Sequence, residues 1–155
     1  MKNENVAYWI GAVQSDGCYK TYTEKKRNIT RHLISFHVSK KSLPMVRKFQ
    51  FISKNIFNRN SKIFKIDKSN TWEMHIGIAK LIEDFKKLEI TFGDPPLPPK
   101  WTLFDNKYFG AYLAGLIDGD GDIRIKRKKY PQCVIRIAGG HKQIELANKI
   151  KEILD

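Results

Sequence analysis

Two cysteines, Cys18 and Cys133, are all the chain has. They are too few for a disulfide framework or a cysteine zinc site, and both are expected to be reduced core residues. No segment approaches the ~18–20 apolar residues of a membrane-spanning helix. The opening run "MKNENVAYWI" lacks the long apolar core of a signal peptide. The expectation is a soluble intracellular protein of the cytoplasm or an organelle matrix, not secreted and with no membrane partner. Acids are scarce as well: 16 Asp and Glu face 29 Lys and Arg, a formal net charge of +13 over 155 residues. A surplus of that size favours a polyanion as partner, most often nucleic acid, over a merely solvated basic surface. Apolar residues are not lacking; at 41% they support a core and exclude a broadly disordered chain. The length suits one ordinary domain or two small ones.

What is present begins with a repeat. "VAYWIGAVQSDG" (6–17) lies over "GAYLAGLIDGDG" (110–121) at a constant offset of 104 positions, without a gap. Ala7 matches Ala111, Tyr8 matches Tyr112, Gly11 matches Gly115, Asp16 matches Asp120 and Gly17 matches Gly121. Each copy is followed by the same order of patterns: strand, basic turn, strand, helix. Ile34, Phe36 and Val38 alternate with Ser35 and His37, the period of a strand. Ile123 and Ile125 alternate with Arg124 and Lys126, and Cys133, Ile135 and Ile137 with Val134 and Arg136. Ser42 is expected to cap a helix reaching about Ile56, and a second such helix spans about Lys142 to Leu154.

The first copy goes further. "KIFKID" and "TWEMHIG" read as a hairpin, and "IAKLIEDFKKLEI" as a helix with Ile78, Leu81, Ile82, Phe85 and Leu88 on one face. The expected fold class is α+β. Residues 1–92 form an αββαββα unit and 105–155 a pseudo-two-fold copy cut short at αββα. Residues 93–104, with four prolines in five positions, join them as a linker.

The acids sit where stability would not put them. Asp16 and Asp120 fall at or just past the ends of two apolar helices, where the helix dipole favours cations. One such acid is an accident; two at equivalent positions point to function. Ala7 and Gly11 give one helix a small-residue face, and Ala111 and Gly115 give the other its match. Two such helices can pack closely and bring Asp16 beside Asp120. Paired carboxylates repel unless they share a hard cation. Mg²⁺, or another divalent ion, suits oxygen ligands, and beside phosphate it activates water and stabilises a leaving oxygen. Against this stands the bland alternative that Asp–Gly merely ends each helix and starts a hairpin.

"LAGLIDGDG" (113–121) resembles the name-giving motif of the LAGLIDADG homing endonucleases at eight of nine positions, Gly119 being the exception. "WIGAVQSDG" (9–17) is a weaker copy that keeps Gly11, Asp16 and Gly17. The resemblance spans nearly the whole chain. It implies that the motif helices form the interface between two halves, through Ala7, Gly11, Ala111 and Gly115. It implies that each half lays an antiparallel sheet in the major groove of double-stranded DNA. Asp16 and Asp120 would then bind the divalent metal for phosphodiester hydrolysis. Alternate residues after each acid would face DNA: Lys20, Tyr22 and Glu24 in one half, Arg124, Lys126 and Lys128 in the other. On the second strands the corresponding set is Arg31, Ser35, His37, Gln132, Val134 and Arg136. Lys40, at the strand-to-helix junction "VSKKS", is the candidate to orient water or contact the scissile phosphate. Its counterpart in "IAGGH" is Gly139, which has no side chain to offer. Gly77 stands where some relatives carry a lysine, with Lys80 nearby. Asp118 and Gln14 read as helix-end hydrogen-bonding residues, and His75 and His141 as surface or junction residues.

The reading is therefore a site-specific DNA endonuclease. The alternative is an RNA-splicing maturase, with intron RNA as partner, or a non-cleaving DNA-binding protein of the same fold. An intein is disfavoured by Met1 and by an end, "KEILD", without a His-Asn pair. A nucleotide loop is disfavoured too: "GDGD" lacks the Lys-Ser/Thr of a P-loop, and its glycines follow a helix instead of preceding one. The short second half predicts bare apolar surface there, unless a second chain completes it.

Overall fold

Helix α1 (Glu4–Asp16) opens on Asn3, whose side chain accepts from the Val6 amide at 2.9 Å. Every residue from Val6 to Val13 is buried. A helix apolar all round belongs inside, and α1 packs against two other helices and a sheet at once. The computed structural model describes residues 2–92, 97–127, 129–137 and 143–154. Lys128, Gly139, His141 and much of the Pro-rich stretch lie outside the described residues.

After α1 come strands β1 (Gly17–Glu24) and β2 (Ile29–Ser39), helix α2 (Leu43–Phe57), strands β3 (Ile63–Ile66) and β4 (Thr71–Gly77), and helix α3 (Ile82–Lys87). The four strands form one antiparallel sheet in the order β1-β2-β4-β3. Phe36 pairs with Met74 and Ile34 with Ile76 on its buried face. Trp9 of α1 fills the centre of the core. It stacks on Phe49 at 5.4 Å, meets the Phe57 ring edge-on at 4.9 Å, and donates its indole N–H to Ser53 at 2.8 Å.

The second unit repeats the start of this plan: α5 (Asn106–Asp120), β5 (Gly121–Lys126), β6 (Gln132–Ile137) and α6 (Ile144–Leu154). The fold is thus α+β, an αββαββα unit followed by αββα. Between them a short helix, α4 (Lys100–Phe104), occupies the end of the expected linker. The chain there is tied back to the first unit. The Trp101 indole donates to the Leu88 carbonyl at 2.9 Å, and the Lys100 amide to Glu89 at 3.1 Å.

The two-stranded sheet leaves one face uncovered. Ile123, Ile125 and Ile135 share that face and are 60%, 70% and 55% exposed. Between it, α5 and α6 lies an apolar groove of about 440 Å³, lined by residues that include Phe109, Leu113, Ile137 and Ile150. Bare apolar surface is what the sequence pattern of this half predicts. In the first unit, the face of β2 and β4 equivalent to it is covered.

Some local expectations need correction. Both cysteines are exposed, not core. Cys18 lies on edge strand β1, on the face opposite the core, and Cys133 lies on the uncovered face of the small sheet. Ser42 does precede α2, but its hydroxyl bonds Ser39 at 3.1 Å instead of capping an amide. The third helix is shorter than its periodicity predicts, because Ala79–Leu81 form a 3₁₀ turn. Among the described residues no helix is long and apolar enough to cross a membrane.

Candidate functional site

The site begins with how closely α1 and α5 approach. A Cβ added to Gly11 would stand 2.1 Å from the Tyr112 carbonyl oxygen, and one on Gly115 would stand 2.2 Å from that of Tyr8. These are backbone atoms that cannot swing aside, so only glycine allows the helices to meet here. Ala7 is fully buried and Ala111 partly so. Further along, Gly119 faces Ser15: an added Cβ would meet the Ser15 hydroxyl at 2.0 Å and its Cβ at 2.5 Å.

Both helices then stop the same way. Gly17 and Gly121 turn straight into strands with extended backbones, and each donates its amide back into its helix, to Val13 and to Ile117. Neither needs a positive φ. A Cβ at either would lie 2.4 Å from the carbonyl it bonds. The Asp–Gly step is a steric device for leaving a helix abruptly, and it leaves Asp16 and Asp120 as the last residues of their helices.

Neither last turn carries a basic residue. The two helix ends lie close together: a Cβ on Gly119, the residue before Asp120, would stand 3.3 Å from the Asp16 carboxyl carbon, and partial burial, then the Asp120 charge, hold the Asp16 carboxyl above its ordinary range. Partial burial raises Asp120 likewise. Among the described residues neither carboxylate has an ion pair or hydrogen bond, and no third acidic, His or Cys side chain joins them in a metal-holding group. The donor set is oxygen only. Two carboxylates at negative helix ends, repelling each other, suit a hard divalent cation whose remaining ligands are water or phosphate.

The residues beside them are engaged with each other. The Tyr8 hydroxyl donates to Asp118 at 2.6 Å, and Lys48 reaches the same carboxylate at 3.2 Å while its ammonium sits 3.8 Å over the Tyr8 ring. Burial first, then the Asp118 bond, push the Tyr8 hydroxyl well above its ordinary range. Tyr112 donates to Gln14 at 2.7 Å, and the Gln14 amide donates to the Thr91 and Leu97 carbonyls.

The sheets carry the remaining candidates. Registers place Lys20, Tyr22, Glu24, Arg31, Ser35 and His37 together on the face opposite the core. Glu24 is clasped by Arg31, whose Nε and Nη2 bond it at 3.2 and 2.9 Å. Ser35 shares the face but is only 2% exposed; its hydroxyl donates to Glu73 at 3.1 Å. On the small sheet Arg124, Lys126, Gln132 and Arg136 share the face away from the isoleucines. Lys40 begins the exposed 3₁₀ turn directly after β2. Gly77 ends β4 with open space where a side chain would be, and Lys80 lies beyond it in the next turn.

Glu73, His75 and Phe64 join the open face of the large sheet; the sequence reading takes His75 as a surface or junction residue and assigns none of the three a DNA-facing role. The alternation in "TWEMHIG" held the signal: Trp72, Met74 and Ile76 face the core, so Glu73 and His75 must face away.

No family model and no curated protein matches the chain. Solved structures do. A crystal structure of I-DmoI with DNA and Ca aligns over 97% of this chain and 72% of that one, at 17% identity and a TM-score of 0.66. A structure of the I-LtrWI LAGLIDADG homing endonuclease bound to target DNA aligns over 98% and 73%, at 14% identity and 0.61. I-DmoI with DNA and Mn aligns over 77% and 63%, at 20% identity and 0.54. The chain therefore spans 63–73% of the lengths of these proteins. Its structural neighbours are LAGLIDADG homing endonucleases, and the chain has their fold.

Proposed function

We propose that the chain acts as a site-specific, metal-dependent DNA endonuclease of the LAGLIDADG type, its halves being residues 1–92 and 105–155. One observation carries this: Asp16 and Asp120, with no ion pair or hydrogen bond among the described residues, end two closely packed helices at equivalent positions where stability disfavours them. The net charge of +13 and two sheet faces set with Lys, Arg, Gln and Tyr support duplex DNA as the partner. The neighbours' complexes with DNA and with Mn or Ca point the same way.

In this reading Asp16 and Asp120 hold the metal, which supplies water activation and charge stabilisation at the scissile phosphate. The chain's own residues do the positioning. Gly11 and Gly115 let the helices close, so that both carboxylates reach one place. Lys40 orients water or contacts the phosphate. Lys20, Tyr22, Glu24, Arg31 and His37 on one sheet, with Ser35 buried beneath them, and Arg124, Lys126, Gln132 and Arg136 on the other form the DNA surface, which Lys128 would extend. There Arg and Gln suit base edges and Lys suits phosphate.

A second reading, a DNA-binding protein of this fold that does not cut, draws on the same basic sheet faces, which suit duplex binding without either carboxylate. The deciding experiment incubates the chain with Mg²⁺ and a library of long duplexes, beside Asp16→Asn and Asp120→Asn. Cleavage at a defined site, lost in both variants, is the expected outcome. Cleavage retained by either variant overturns the paired-carboxylate mechanism. Specific binding without cutting selects the second reading.

A further inference from the structure

The open face of the large sheet holds two acids in a strongly basic chain, and they are not alike. Glu24 has both oxygens engaged: Arg31 bonds Oε2 and Arg27 lies 3.5 Å from Oε1. It is neutralised in place. Glu73, on β4, receives its two hydrogen bonds on a single oxygen. Ser35 donates to Oε1 at 3.1 Å and His75 donates to the same atom at 2.7 Å. Among the described residues no hydrogen bond or ion pair reaches Oε2, and Lys20 acts on the carboxylate only through its charge. The side chain is held in one orientation by Ser35 of the neighbouring β2 and by His75 two residues along its own strand, with one acceptor left over.

A carboxylate on a phosphate-binding surface costs affinity everywhere except where it meets a donor. The major-groove edges of the bases differ in this respect. Guanine presents two acceptors and thymine one; adenine sets an acceptor beside its amino group; cytosine offers its N4 amino group alone. A fixed, single, negatively charged acceptor is repelled by the first two, half-repelled by the third and matched by the fourth.

We propose that Glu73 reads a cytosine in the target duplex, held for that task by Ser35 and His75. The proposal rests on the DNA-reading function argued above and assigns one residue a base. The hydrogen bond from His75, with help from Ser35 and Lys20, also holds the Glu73 carboxyl below its usual range, so it stays an acceptor under ordinary conditions. Rigidity matters as much as charge, because a carboxylate already ordered loses little freedom on binding.

The test is a selection of bound sequences from a randomised duplex library. It uses the full chain at fixed salt with Ca²⁺, and compares wild type with Glu73→Gln and Ser35→Ala. In Glu73→Gln the amide oxygen can take over the Ser35 and His75 bonds, leaving an NH₂ where the free acceptor was. The wild type is expected to prefer cytosine at one position by roughly 10-fold. Glu73→Gln is expected to move that one preference to guanine or thymine and leave the others alone. Ser35→Ala keeps the carboxylate but loosens it, and is expected to weaken the same preference.

If Glu73→Gln keeps every base preference, or changes affinity equally for all sequences, Glu73 is only a link between strands and the proposal falls. The same follows if Ser35→Ala leaves the cytosine preference untouched. A wild type that binds duplexes without any sequence preference overturns the DNA-reading function itself, which sets that failure apart from this one.

Discussion

Tyr8 on α1 donates its hydroxyl to Asp118 on α5 at 2.6 Å, and the equivalent Tyr112 on α5 donates back to Gln14 on α1 at 2.7 Å. Each tyrosine lies 104 positions from its twin, as do Gln14 and Asp118. The two bonds clasp the helices from opposite sides of their closest approach, just before the acids. The acceptors differ, amide in one case and carboxylate in the other, and Asp118 recruits Lys48 as well.

Replacing either tyrosine by phenylalanine removes one clasp and leaves the ring packing in place. Each change is expected to cost about 0.5–1.5 kcal/mol, with Tyr8→Phe the larger because its acceptor is charged. Urea denaturation at unchanged m-value reads this directly. Equal midpoints for wild type and both variants would show that the bonds contribute nothing.

Gly119 is where the chain departs from the nine-residue motif, and Ser15 is what it meets. Gly119→Ala places a methyl group against the Ser15 side chain and is expected to destabilise by ~1–3 kcal/mol. Adding Ser15→Gly should recover much of that, despite the poor helix propensity of glycine. A double-mutant cycle measures the coupling; strict additivity would mean that the helices part without regard to Ser15. Gly11→Ala and Gly115→Ala meet backbone instead of a side chain, so no single compensating change should rescue them.

Asp16→Asn and Asp120→Asn are expected to stabilise the metal-free protein while abolishing cleavage. Each removes a negative charge from a helix C-terminus, worth ~0.3–1 kcal/mol at low ionic strength, and relieves the repulsion between the pair. The repulsion is shared, so the double variant should gain less than the sum. Thermal melts in chelator and then in Mg²⁺ check both halves of this: the metal should stabilise wild type and not the variants. A wild type that melts at the same temperature with and without Mg²⁺ would count against the shared site.

The isoleucine face of the small sheet should make the chain sticky. Dye binding and concentration-dependent sedimentation are the expected signs. Ile125→Lys with Ile135→Lys should reduce both and leave the melting temperature within about 1 kcal/mol of wild type in equivalent stability, because neither side chain is buried to begin with. An unaltered sedimentation profile would mean the face is not what associates.

Much of this protein is legible without its structure, because the legible part is local. Apolar periods of 3.6 and 2 mark the helices and strands, the 104-position repeat pairs the two units, and strand parity divides Lys20 and Tyr22 from Tyr19 and Thr21. Even the acids declare themselves, being on the wrong ends of their helices. What required the tertiary structure is partnership. Tyr8 and Asp118 are 110 positions apart, Tyr112 and Gln14 are 98 apart, and nothing in the periodicity of either helix names the other. The same holds for Glu73 and Ser35, joined only because β4 pairs with β2. Burial was decided at that level too: Cys133 shares its face with Ile123, Ile125 and Ile135, and only the missing cover over that face leaves it exposed, whereas Cys18 shares the open face with Lys20 by strand parity. A side chain's own spacing tells which way it points; what stands there to receive it depends on chains of contact that close across the whole fold.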